Sequence, residues 1–184
     1  VQIIVSVENQ EQADRRIPRL LAVNAAVRGV SYEPALGAVD FHRWLPVGEH
    51  ACSPGCDYTG HGVGPWLDWL IMGGESGPNA RPFDLAWARS AIAQCRVADV
   101  AAFMKQLGAR PGWYSDPHEG YATRPRTWTD LKLRDRKGGD WSEWPADLRV
   151  REFPLAAGSG AGAGARSVNG VTRSMDPAAL RSNP

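Results

Sequence analysis

Four short apolar runs set the terms for this chain: Ile3 to Val7, Val27 to Tyr32, Leu67 to Met72 and Val100 to Met104. Each stops at a polar or small residue: Glu8-Asn9, Glu33-Pro34, Gly73-Gly74 ahead of Glu75, and Lys105-Gln106. Apolar character within the runs is nearly continuous rather than alternating. That pattern belongs to parallel strands buried on both faces. The intervening stretches have helical periodicity. Asn9 with Gln12 resembles an N-cap and its reciprocal partner, and Ala13, Ile17, Leu20 and Leu21 share one face, with Pro18 as a flaw inside the helix. A second helix starts at Asp84 as cap, with Leu85, Ala88, Ile92 and Cys95 on one face. Alternating strands and helices predict right-handed βαβ units around a parallel sheet.

Length bounds how many such units fit. Of 184 residues, those from Ala156 onward are almost all Ala, Gly, Ser, Arg, Asn and Pro. Such a tail cannot bury enough apolar surface to offset its ordering entropy, so residues 156–184 are expected to be a disordered tail. Residues 1–155 then form one domain, too short for a whole (β/α)₈ barrel of about 250 residues. The expected fold is α/β, a partial (β/α) barrel of about four parallel βα units. Because a strand begins almost at Val1, the chain is expected to be a fragment. The first strand then lacks a neighbour and the inner sheet face lacks its opposite wall, which predicts self-association or a partner chain supplying the missing barrel half.

Composition narrows the setting. The 21 basic and 20 acidic residues nearly cancel, so net charge neither implies nor excludes nucleic acid. No apolar run approaches a membrane span of roughly 18 residues, so no membrane partner is expected. Three cysteines at uneven spacing argue against a disulfide framework and fit a cytoplasmic location.

The chemistry-bearing residues are marked by position. Glu8, Glu33, Glu75 and Lys105 each follow a strand, at the edge where loops of α/β sheets converge on ligands. Three carboxylates and one ammonium from neighbouring strands are expected to face one pocket. There, mutual repulsion raises the pKa of at least one acid, or the acids share a cation. The plainer alternative is that they cap helices or pair with Lys105 and nearby arginines. Glu33, Glu75 and Lys105 are the candidate catalytic residues, for an unknown substrate. Gly73 to Pro78 can present backbone N–H groups to an anion or form a tight turn, and Arg81 beyond it can bind a carboxylate or phosphate in bidentate fashion.

The long connection from Gly37 to Trp66 carries His50, Cys52, Cys56 and His61, whose spacing does not match the usual paired zinc ligands. Two cysteines cannot hold an iron–sulfur cluster that needs three, so neither a metal site nor a cluster is expected in this chain. Cys95 is expected to pack in the core. After Gln106 periodicity fades into a Trp-, Pro- and Arg-rich stretch expected to wrap the sheet, with Trp141, Trp144 and Pro145 packing against it. Within it the basic run Arg124, Arg126, Trp128, Lys132, Arg134, Arg136 and Lys137 is either a solvated face or a nucleic-acid contact.

Several phrases resemble the phage gene-product-37/68 protein family, radical-SAM-like proteins of undetermined activity. These are Val5-Ser6-Val7-Glu8-Asn9-Gln10, Ser31 through Gly37, Gly73 through Pro82, and Lys105-Gln106-Leu107-Gly108. Arg136 through Asp140, Glu143-Trp144-Pro145 and Leu148 through Pro154 also fit, so the resemblance spans Val1 to Pro154. It implies a barrel remnant of the radical SAM type that lacks the cysteine-motif half, and hence a carboxyl-terminal fragment expected to be inactive alone. It also implies S-adenosylmethionine as cofactor, with Ser6 and Glu8 as its contacts. The competing expectations are a cluster-independent carboxylate or metal enzyme and a nucleic-acid-binding module.

Overall fold

The computed structural model describes residues 1–46, 65–115 and 126–154. The expected tail, the cysteine–histidine loop and Arg124 lie outside these residues. Four strands, β1 (Gln2–Ser6), β2 (Val27–Tyr32), β3 (Trp69–Gly73) and β5 (Ala101–Gln106), form one sheet in the order β1-β2-β3-β5. All three pairings are parallel. Helices α1 (Gln10–Leu21) and α2 (Leu85–Val97) connect β1 to β2 and β3 to β5. The protein is therefore a mixed α/β fold around a parallel sheet, with no closed barrel among the described residues.

Local chemistry accounts for both helices. Asn9 Oδ1 accepts the Gln12 backbone N–H at 3.1 Å, which caps α1. The reciprocal half of the expected capping box is missing, because Gln12 Oε1 has no partner. Pro18 lies inside α1 on its exposed side, while Ala13, Ile17 and Leu20 fill the buried stripe. Packing of that stripe outweighs the hydrogen bond proline cannot make. Asp84 caps α2 by accepting from Ala86 N, and Leu85, Ala88, Ile92 and Cys95 are buried as expected.

The four-unit expectation needs correction on one count. There are four parallel strands but only two helices among the described residues. The described part of the β2–β3 connection holds only a short 3₁₀ turn, His42–Trp44. That segment is anchored by a buried side chain the sequence reading overlooked. Gln94 of α2 accepts the Phe41 N–H at 2.6 Å and donates to Val39 O at 3.2 Å. Phe41, Trp44 and Leu45 thereby complete the core against Tyr32, Leu70 and Met72.

A second correction concerns the region after Gln106, which is not a featureless wrap. Strands β4 (Phe83–Asp84), β6 (Pro111–Ser115) and β7 (Thr127–Asp130) make a separate three-stranded sheet, parallel between β4 and β6 and antiparallel between β6 and β7. Beyond it, Trp144 is buried and Trp141 packs partly on the core, as expected. Residues 150–152 then run antiparallel along β5, with Met104 N–H donating to Val150 O at 2.8 Å and Glu152 N–H to Ala102 O at 2.8 Å. The two sheets meet where Gly108, at φ +80°, lets the chain pass directly over Gly74 and Glu75. No helix among the described residues is long and apolar enough to cross a membrane.

Candidate functional site

Parallel pairing puts the ends of all four strands on one edge. The register also sorts side chains into two faces. Val30, Tyr32, Leu70, Met72, Ala102 and Met104 alternate with a second set and belong to the buried core. The opposite phase gives two rows across the sheet: Ile4, Gly29, Trp69 and Ala101, then Ser6, Ser31, Ile71 and Phe103. This second face is only partly covered, since Ile4 is 40% exposed and Ser6 is exposed. Phe153 packs against Trp69 and Phe103 at one side of it.

Above the serine row stands the rim. The structure places Glu8, Glu33, Glu75 and Lys105 all at the carboxyl edge, with Lys105 still inside β5 rather than beyond it. Lys105 Nζ reaches Glu33 Oε2 at 3.1 Å, so the amine of β5 meets the acid of β2 across the intervening β3. Gly73 permits this crossing: a Cβ there would lie 3.3 Å from Glu33 Oε2 and 3.4 Å from Gln106 Cγ. Ser31 Oγ donates to Glu33 Oε1 at 3.1 Å and fixes the carboxylate over the serine row. The loop leaving β2 knits the rim together, because Leu36 N–H donates to Glu8 O and Ala35 N–H to Gly73 O.

The remaining acids do not form the repelling cluster expected from sequence. Glu8 is paired with Arg16, whose Nη1 also donates to Ser6 O at 2.7 Å. Glu75 is gripped by Arg81 through side-chain bonds and through Arg81 N–H at 2.7 Å. Those bonds hold the Glu75 carboxyl down at about 2, opposite to the expected upward shift, and keep it ionised near neutral pH. Arg81 is held above its usual value by Glu75 first and also by Glu8. The site thus consists of matched charges, two arginines and one lysine against three acids. Arg81 acts as a bidentate carboxylate binder, and its ligand is internal.

Gly74 also departs from expectation. Its N–H donates to Gln106 O at 3.2 Å, and a Cβ on it would fall 2.4 Å from Leu107 O. The glycine pair serves close packing of β3 on β5, and the Gly74 N–H is thereby committed to the sheet. Arg16 was missed from sequence. Its signal was its place two turns into the helix that follows Glu8, facing back to the strand end. Cys95 is buried with its thiol pushed up to about 12 by desolvation and then by Glu152, consistent with core packing. Among the described residues, no group of three or more His, Cys, Asp or Glu is placed to hold a metal ion. The readings of His50, Cys52, Cys56 and His61 fall outside the described residues.

Comparison with known proteins supplies one match. A family model described as "Protein of unknown function (DUF5131)" covers residues 1–170. The chain belongs to the DUF5131 family. No curated protein and no solved structure matches it. For this DUF5131 protein, any statement of function therefore rests on the parallel sheet and its charged rim.

Proposed function

We propose that this chain forms the cofactor- and substrate-facing part of a phage-type radical-SAM-like protein, a partial barrel whose iron–sulfur cluster is held by other residues, and that it is inactive alone. The observation that supports this most is the Lys105–Glu33 pair set over the bare backbone of Gly73 and above the Ser6–Ser31 row. S-adenosylmethionine carries a carboxylate and an ammonium at one end and an adenine ring at the other. The face offers matching groups. Lys105 would receive the carboxylate, and Glu33 or Glu8 the ammonium. The Ser6 and Ser31 hydroxyls would bond polar atoms between them, and Ile71 and Phe103 supply apolar surface for a ring.

When bound beside a reduced cluster, the cofactor supplies hydrogen-atom abstraction. The chain's own residues bind, orient and balance charge. Arg16 and Arg81 hold Glu8 and Glu75 in fixed positions, so the rim keeps its geometry as a ligand enters. Open β1, with Ile4 and Ser6 exposed, is the edge at which a partner chain would add further βα units and wall off the face. A cluster-independent carboxylate enzyme would use the same rim, with Glu8, Glu33 or Glu75 as acid, base or metal ligand.

Titration calorimetry with S-adenosylmethionine tests the reading on the chain as it stands. Saturable binding is expected, weakened about tenfold or more by Lys105→Met because a charge-assisted bond is lost. Absence of binding by a folded chain, or full binding by the Lys105→Met variant, would overturn it.

A further inference from the structure

A second charged feature lies on the three-stranded sheet. Gly112 of β6 has no side chain, and the Trp128 ring of β7 takes the space: a Cβ on Gly112 would sit 2.6 Å from Trp128 Cζ2. Trp128 Nε1–H donates to Asp130 Oδ1 at 2.7 Å. Tyr114 pairs with Trp128 across the hairpin and meets its ring edge-on, with centroids 5.0 Å apart, while remaining 41% exposed. One face of this hairpin therefore runs from an accessible aromatic ring to an acid.

That acid opens onto a cleft of about 740 Å³, formed by residues 76–80, 108–111, 130–133 and 135–137. Its charged lining is Arg110, Lys132, Arg136 and Lys137 against Asp130 and Asp135. Both acids are already engaged. Asp130 accepts from Trp128 and lies 3.4 Å from Lys132 and 3.6 Å from Arg110. Asp135 accepts the backbone N–H groups of Lys137, Gly139 and Asp140 and so is committed to its own turn. Arg134 of the same basic run is spent on Glu143. Arg136 and Lys137 are exposed and make no ion pair among the described residues. The cleft lining therefore holds four cations against two acids, with Lys137 opposed in part by Asp135, next to the hairpin that bears the exposed Tyr114 ring.

We propose that this cleft binds single-stranded nucleic acid, with Arg136, Lys137 and Lys132 on successive phosphates and one base stacked on Tyr114. Alternation of cation and aromatic matches the alternation of phosphate and base in an unpaired strand, whose bases are free to stack. In a duplex the bases are already stacked on each other and Tyr114 would have nothing to receive. This inference does not depend on the cofactor reading, since no residue of the rim takes part.

The test is fluorescence anisotropy with a labelled oligothymidylate of about 12 nucleotides, titrated with the full chain at two or more salt concentrations. Binding that weakens with salt is expected. Arg136→Ala with Lys137→Ala should weaken it about tenfold or more and flatten the log–log salt dependence by about 0.7 for each cation removed. Tyr114→Ala should cost about fivefold with the salt slope unchanged, which is the stacking signature. All three positions are exposed, and circular dichroism verifies that the variants stay folded. No binding at low salt, or binding indifferent to all three substitutions, would overturn the proposal. So would inorganic polyphosphate competing as strongly as the oligonucleotide, because the cleft would then read charge alone.

Discussion

The parallel sheet and the three-stranded sheet use charge in opposite ways. At the rim of the parallel sheet every acid is matched: Glu8 with Arg16, Glu33 with Lys105, Glu75 with Arg81. At the three-stranded sheet the cleft lining holds four cations against two acids, and Arg136 and Lys137 make no ion pair among the described residues. A rim whose charges are internally balanced holds its shape and suits a zwitterionic small molecule. Surplus cations beside an exposed ring suit a polyanion. The sheets also differ in what holds them: the first packs one face of its strands and its helices into a core, whereas the second has exposed strand residues such as Trp113 to Ser115.

The sharpest way to break this comparison is at the junction. Gly108 has φ +80°, and a Cβ on it would lie 2.5 Å from Glu75 O and 2.7 Å from Gly74 C. Gly108→Ala is expected to destabilise the protein by about 4 kcal/mol, through strain and backbone overlap together. Denaturant unfolding measures it, and a shift under about 1 kcal/mol would mean that the two sheets do not rely on this crossing. Next in size is Gln94→Ala, which strands the buried Phe41 N–H and Val39 O and should cost about 2 kcal/mol in the same assay.

The smallest effect concerns the rim charges. Because the Glu75 carboxyl is lowered from 4.5 to about 2, its pairing with Arg81 adds stability above about pH 4.5 and loses it as pH falls towards 2. The pair is partly solvated, so the loss is expected to stay under about 1 kcal/mol. Unfolding midpoints of the parent and of Arg81→Ala should differ near neutral pH and converge by pH 2. Midpoints that stay parallel would show the pair to be idle.

What sequence revealed differs between the same two regions. Strand β2 was legible to the residue, and the caps Asn9 and Asp84 were visible, because apolar runs and capping chemistry act over a few neighbouring positions. The common edge of Glu8, Glu33, Glu75 and Lys105 followed from strand direction alone. Pairing of these acids with Lys105 and nearby arginines was the plainer alternative, and it is the one that holds; Arg16 was not singled out, since nothing in one dimension shows it turning back to the strand before it. Strands β4, β6 and β7 were hidden for another reason. One is two residues long, and β6 begins Pro111-Gly112, which reads locally as a turn and becomes a strand only when Trp128 lies over the glycine. The α1 proline misled in the same way, as tertiary packing overrode a local rule.

The pairing of β3 with β5 has a further consequence. Met72 stands opposite Met104 and Gly73 opposite Gln106, so Lys105 is one residue more than the ladder needs. Removing that single position would leave the hydrogen-bonded frame free to close while deleting the amine that reaches Glu33. A lineage could therefore gain or lose this ion pair through one inserted or deleted codon, with the sheet on either side unchanged.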